Sequence, residues 1–210
     1  MLLLRSKLKF FLTEYKPITS FIGISYIVNL LRIRNKSITK KTTIKKTTVK
    51  KDEIISHQNK WGSGLVNIGK LYSNGDDYVK YTQKFIEDMY NDFPDVLFKP
   101  TKASEVQFRN SYNDTLSYFI TGSITEDTGF ALEPWSRVTH KNHLFFIRGD
   151  TATVMGEYTF ESDKTQKTIT AEYTFGYLKC PKCNKLKIYL QHSSIPYKIK
   201  NDMFNIISCM

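Results

Sequence analysis

Near the C-terminus, Gln191-His192-Ser193-Ser194 sets an amide, an imidazole and two hydroxyls side by side. An imidazole, with an unperturbed pKa of about 6.5, suits proton transfer near neutrality. Hydroxyls both donate and accept hydrogen bonds, so they suit holding a water or an anionic oxygen. The flanking residues say how the cluster is held. Lys187-Ile188-Tyr189-Leu190 alternates like a strand and Pro196 ends the run, so the polar residues fall on its last rungs. Successive strand side chains point to opposite faces, which groups Ile188, Leu190, His192 and Ser194 against Lys187, Tyr189, Gln191 and Ser193. The face with Ile188 and Leu190 is the one expected to be buried. His192 and Ser194 are therefore expected inward, either satisfied within the core or available to a ligand.

Other reactive side chains are less eloquent. Cys180-Pro181-Lys182-Cys183 is a lone CxxC between two strand-like runs, and with Cys209 it makes neither a disulfide framework nor a complete zinc site. It reads as a hairpin turn. His57 falls within a helical run and reads as a surface or interhelix residue, since only Glu53 stands near it as a second ligand type.

The elements that must position these groups follow in order. From Asp52, the residues Ile54, Ile55, Trp61, Leu65, Val66, Ile68 and Leu71 fit a helix with one broad apolar face, closed by Ser73-Asn74-Gly75. Asp76 is the expected cap of a second helix carrying Tyr78, Val79, Phe85, Ile86 and Met89. Residues 96–99 read as a short strand stopped by Pro100. Asn113 or Asp114 could open a short helix through Phe119, although a strand fits the same pattern. Residues 126–135 read as a loop. Four strand candidates follow, 143–148, 151–160, 168–177 and 185–194, the mark of an antiparallel meander. In the second, Ala152, Val154, Gly156, Tyr158 and Phe160 share a face; in the third, Ile169, Ala171, Tyr173, Phe175 and Tyr177 do. Helices first and a curved antiparallel sheet after them is an α+β layout, the sheet wrapped around the N-terminal helices. Such a cone has an open end that can serve as a pocket.

Charge is distributed unevenly. Thirteen Lys/Arg and one acid, Glu14, precede Asp52, whereas eighteen Lys/Arg and nineteen acids follow, so the net charge of +11 belongs to the N-terminal segment. The globular part is electrically balanced, and no nucleic-acid partner is expected for it. Residues 1–51 have the acid-poor, hydroxyl-rich composition of an organelle transit peptide, plastid or mitochondrial, with Lys where Arg is usual. The apolar run 21–31 is shorter than the roughly 20 residues a stable membrane span needs. Residues 52–197 are the expected domain and 198–210 a C-terminal tail.

Five runs, in order, resemble the iota-class carbonic anhydrases. They are Trp61-Gly62-Ser63-Gly64-Leu65-Val66-Asn67-Ile68-Gly69, Val96-Leu97-Phe98-Lys99-Pro100-Thr101-Lys102-Ala103, Asp127-Thr128-Gly129-Phe130-Ala131-Leu132, Glu172-Tyr173-Thr174-Phe175-Gly176-Tyr177 and His192-Ser193-Ser194-Ile195-Pro196-Tyr197. The resemblance implies a SnoaL-like, cystatin-like cone, similar to the association domain of the calcium/calmodulin-dependent kinase. It implies homodimers or larger assemblies through the outer sheet face, and reversible hydration of carbon dioxide to bicarbonate, in some members without metal. It places the family's threonine on Thr101, its tyrosine on Tyr118, and its histidine and serine on His192 and Ser194. Thr101, Tyr118 and Ser194 would then hold bicarbonate, with His192 suited to proton transfer. Many members carry a further histidine where this chain has Gln191, and glutamine is a poor transition-metal ligand.

The reading that results is a metal-independent carbonic anhydrase, a lyase with no cofactor. Zinc or manganese would enter if carboxylates such as Glu157 or Glu172 joined His192, and alternation leaves open which face those carboxylates occupy. The rival is a non-catalytic oligomerisation or small-ligand module of the same fold, because one fold hosts many functions.

Overall fold

The computed structural model describes residues 48–197 apart from Asn110 and Lys182. Nearly all of the expected leader and the whole of the C-terminal tail lie outside the described residues. Helix α1 (Lys51–Asn74) forms because Ile54, Trp61, Leu65 and Ile68 recur on helical spacing and are all buried. At its start the Lys50 N–H donates to Glu53 Oε2 at 2.9 Å. At its end Gly75 takes φ 75°, and its N–H and that of Asp76 close on the carbonyls of Tyr72 and Leu71. Val49 is buried just ahead of the helix and donates its N–H to the Gly149 carbonyl at 2.8 Å.

Helix α2 (Tyr78–Met89) is capped by Asp77 rather than Asp76, the carboxylate accepting from Lys80 N–H at 3.0 Å. It packs on α1 where Gly64 leaves space, since a Cβ there would sit 2.4 Å from the Phe85 ring. Strand β1 (Leu97–Lys99) follows, then α3 (Tyr112–Ile120), the segment whose pattern allowed helix or strand. Ser111 caps α3 by accepting from Asp114 N–H at 3.1 Å.

Strands β2 (Trp135–Arg148), β3 (Thr151–Ser162), β4 (Thr168–Lys179) and β5 (Leu186–Ser194) complete a sheet of order β1-β5-β4-β3-β2. Strand β1 runs parallel to β5; the other pairs are antiparallel. The α+β architecture expected from element order is the one found. Strand β2 starts at Trp135, not at residue 143, because two of its inward residues, His140 and Asn142, are polar and mask the alternation. Register slips twice in β2, between Trp135 and Arg137 and between Asn142 and Leu144, and once where β4 meets β5, between Gly176 and Tyr177. An extra residue in one strand reverses the alternation beyond it. The core lies between the helices and the inner face of the sheet, where Trp61, Leu65 and Ile68 meet Val154, Tyr158, Phe160, Tyr173 and Phe175.

Candidate active site

The slip in β5 decides which polar side chains enter the interior. Ile188 pairs with Tyr177 and Leu190 with Gly176, which leaves Tyr189 as the extra residue. Beyond it Gln191 pairs with Phe175 and Ser193 with Tyr173, both inward residues of β4, and Gln191 and Ser193 are 3% and 1% exposed. His192 pairs with Thr174 and Ser194 with Glu172 on the opposite face. There His192 is exposed, and the Ser194 hydroxyl donates to Glu172 Oε2 at 3.2 Å. The expected inward pair His192 and Ser194 is thus corrected to Gln191 and Ser193. Strict alternation holds only along an uninterrupted strand, and one extra residue inverts every side chain after it. The isolated Gly176 in the aromatic run of β4 is the sequence signal of that interruption.

Thr101 and Tyr118 do reach the interior. Tyr118, on α3, is buried with its ring edge-on to Phe98 and stacked on Phe130, at centroid distances of 5.5 and 5.4 Å. Thr101 lies just past β1, whose Lys99 pairs with His192, and its side chain adjoins the Tyr158 phenol. The loop beyond Thr101 is tied down by Arg109, wholly buried, whose Nη2 meets Asp127 Oδ1 at 2.7 Å. Glu126 accepts from the N–H groups of Ser104, Glu105 and Val106 at 2.7, 3.1 and 2.8 Å.

Tyr158 stands at the centre of the cluster. Its hydroxyl contacts Ser193 Oγ, with the Thr101 and Gln191 side chains close enough to act on the phenol. Gln191 Oε1 accepts from the Tyr90 hydroxyl at 2.5 Å, and Tyr90 accepts from Trp61 Nε1 at 2.9 Å. Sequence reasoning placed Tyr158 on the aromatic face of its strand without assigning that face or residue a role, and did not reach Tyr90. The partners are 35 residues apart for Tyr158 and Ser193 and 101 for Tyr90 and Gln191, beyond any local pattern.

Burial pushes the Tyr158, Tyr118 and Tyr90 phenols above the ordinary value near 10; at Tyr158 hydrogen bonds from Ser193, Thr101 and Gln191 offset part of the rise. All three remain neutral at pH 7, able to donate and accept. His140 packs against Trp61, Tyr158 and Tyr173 at 5.7, 5.8 and 5.7 Å, and neither ring nitrogen has a hydrogen-bond partner among the described residues. Burial lowers its pKa to about 4, so it too is neutral. His57 is a core residue, edge-on to Tyr177 at 5.4 Å, and burial likewise lowers it to about 4. Next to the cluster, Gln58 and Asn142 exchange hydrogen bonds at 2.9 and 2.8 Å, and the Tyr173 hydroxyl donates to Asn142 at 2.9 Å.

Glu157 and Glu172, whose face alternation left open, pair directly on the outer face, where His143 Nε2 lies 3.7 Å from Glu157. Among the described residues no group of three or more His, Cys, Asp or Glu could hold a metal ion, and no helix is long and apolar enough to cross a membrane. A cleft of about 540 Å³ reaches Tyr118 from outside, lined also by Lys102, Asp127, Phe130 and Trp135.

An α+β domain whose interior gathers neutral hydroxyls around a strand-borne amide belongs to the class of pockets that handle a small polar ligand through hydrogen bonds. Comparison with known proteins makes the class specific. A family model described as metal-independent carbonic anhydrase matches residues 52–195, and the chain belongs to that family. A metal-independent carbonic anhydrase from Nostoc sp. strain PCC 7120 is 40% identical over 152 residues, which is 70% of this chain and 73% of that protein. The crystal structure of the iota-carbonic anhydrase from a cyanobacterium, complexed with bicarbonate, aligns with a TM-score of 0.69 at 35% identity, covering 72% of this chain and 95% of that one. The resemblance carried by the five sequence runs is borne out.

Proposed function

We propose that this chain hydrates carbon dioxide reversibly to bicarbonate, without a metal, in the cluster of Thr101, Tyr118, Tyr158, Gln191 and Ser193. The carrying observation is the inward turn of Gln191 and Ser193 onto the Tyr158 hydroxyl. Hydration joins a water oxygen to the carbon while one water proton leaves and charge builds on a carbon dioxide oxygen. The cluster's phenols are already protonated, and His192 lies on the outer face. The hydroxyls therefore act as a relay rather than a base. Ser193 takes the proton of the attacking water while handing its own to Tyr158, whose proton passes to the developing oxyanion, so that each hydroxyl ends as it began. One C–O bond and one O–H bond form, one O–H bond breaks, and the product is carbonic acid. That acid is far stronger than water and loses its proton to solvent, leaving bicarbonate. Lys102, exposed at the cleft, places a cation beside Tyr118.

The test is stopped-flow hydration by the full chain, with and without strong chelator, beside Ser193→Ala. A rate that survives chelation and falls in the variant is the expected result. A folded protein with no rate above buffer would sink the enzyme reading and leave the binding module, whose favouring observation is glutamine rather than histidine at position 191.

Two further parts of the reading rest on separate observations. Leu144, Phe146 and Met155 are 73%, 67% and 54% exposed on the outer sheet face, a patch that a second copy of the chain covers to form a homodimer. The basic, acid-poor segment ahead of Asp52 serves as a plastid or mitochondrial address, which fusion of residues 1–51 to a fluorescent protein tests.

A further inference from the structure

We infer that Trp61 and Tyr90 are positioning residues that fix the direction of hydrogen bonding through Gln191, so that its amide donates into the carbon dioxide site. The inference rests on the hydroxyl cluster being that site. An indole N–H can only donate. Because Trp61 Nε1 donates to the Tyr90 oxygen at 2.9 Å, the one Tyr90 proton is directed away from Trp61, toward the Gln191 side chain 2.5 Å away. Facing a proton, the amide must present Oε1, and its Nε2, with two protons, then faces Tyr158. Gln191 shares the inner face of β5 with Ser193, whose hydroxyl contacts Tyr158, so Tyr158 is the neighbour that the free Nε2 can reach. With its oxygen accepting from Gln191, Tyr158 directs its own proton onward into the site, toward the oxygen that becomes negative.

The result is a one-way chain, Trp61 to Tyr90 to Gln191 to Tyr158, running from the core into the pocket. Trp61 and Tyr90 are 2% and 1% exposed, and the indole stacks on the Tyr158 ring at 5.8 Å, so bulk water does not compete for these bonds. A chain ending in donors favours an anionic oxygen, which is what bicarbonate and the developing charge present. A neutral histidine at position 191 would serve the same polarity, accepting from Tyr90 on one ring nitrogen and donating from the other.

The test measures bicarbonate affinity by 13C NMR titration, with kcat and KM in both directions, for the full chain and for Tyr90→Phe, Gln191→Glu, Gln191→His and Ser193→Ala. In Tyr90→Phe the amide is free to turn, and the bicarbonate Kd and dehydration KM rise about tenfold. The KM for carbon dioxide, which carries no charge to recognise, moves less than about twofold. Gln191→Glu sets an acceptor toward Tyr158 and abolishes bicarbonate binding, whereas Gln191→His keeps it within about threefold. Melting temperatures are recorded alongside, and if Tyr90→Phe does not fold, the contrast between Gln191→Glu and Gln191→His decides. An unchanged bicarbonate Kd in folded Tyr90→Phe, an equal rise in KM for both substrates, or wild-type binding in Gln191→Glu overturns the inference. If Ser193→Ala still loses binding in those cases, the site stands and only the donor chain is lost. A wild-type chain that binds no bicarbonate overturns both.

Discussion

The two faces of β5 carry nearly the same chemistry in opposite surroundings. Inward, the Ser193 hydroxyl is buried against Tyr158; outward, one residue on, the Ser194 hydroxyl meets the Glu172 carboxylate at the sheet surface. The inner serine sits among neutral donors with water excluded, where a hydrogen bond to developing charge is strong. The outer one shares its face with Glu157, Glu172, His143 and His192, apart from the aromatic core. Residue type does not separate these serines. Environment does.

The largest effect that could break this contrast is catalytic. Ser193→Ala or Tyr158→Phe lowers kcat for hydration by about 10² or more, the usual cost of a lost oxyanion donor, while Ser194→Ala and His192→Ala stay within about twofold. Stopped-flow rates decide it, and a reversed order would restore the outer pair to the site. Next comes acid stability. His140 is held neutral by burial with a pKa of about 4, and an unfolded histidine titrates near 6.5. The unfolded chain therefore takes up the proton first as pH falls. Stability is fully present above about pH 6.5 and declines toward pH 4, by on the order of 3 kcal/mol for this imidazole. Denaturation midpoints against pH measure the decline, and His140→Phe flattens it. Smaller for the reaction but large for assembly, Leu144→Glu or Phe146→Glu weakens the dimer about tenfold or more while hydration persists, as read by sedimentation. Finally, prolonged chelation leaves the wild-type rate within about 10% of its starting value, because the relay needs no Lewis acid.

Much of this was legible in the chain. The alternation of Ala152, Val154, Tyr158 and Phe160 and of Tyr173, Phe175 and Tyr177 groups each set on one face, and the structure keeps both sets together and turns them inward, because β3 and β4 pair without a slip. Thr101 and Tyr118 came through the motifs and do lie inside. Arg109, Glu126 and Asp127, which hold the loop after Thr101, carry no periodic signal, and their pairing spans up to 22 residues of loop and helix.

By itself the sequence determined what neighbouring residues decide: α1 from its apolar spacing, its end at Gly75, the pleat of β3 and β4, and the motifs that identify the family. Only the tertiary structure decided which half of Gln191-His192-Ser193-Ser194 faces the pocket and that Tyr90 and Tyr158 are its neighbours. A bulge is a property of two paired strands, since the residue left over at Tyr189 exists only relative to Gly176 and Tyr177 across the ladder. Burial, which keeps the phenols protonated and His140 neutral, likewise exists only once helices and sheet have closed over them.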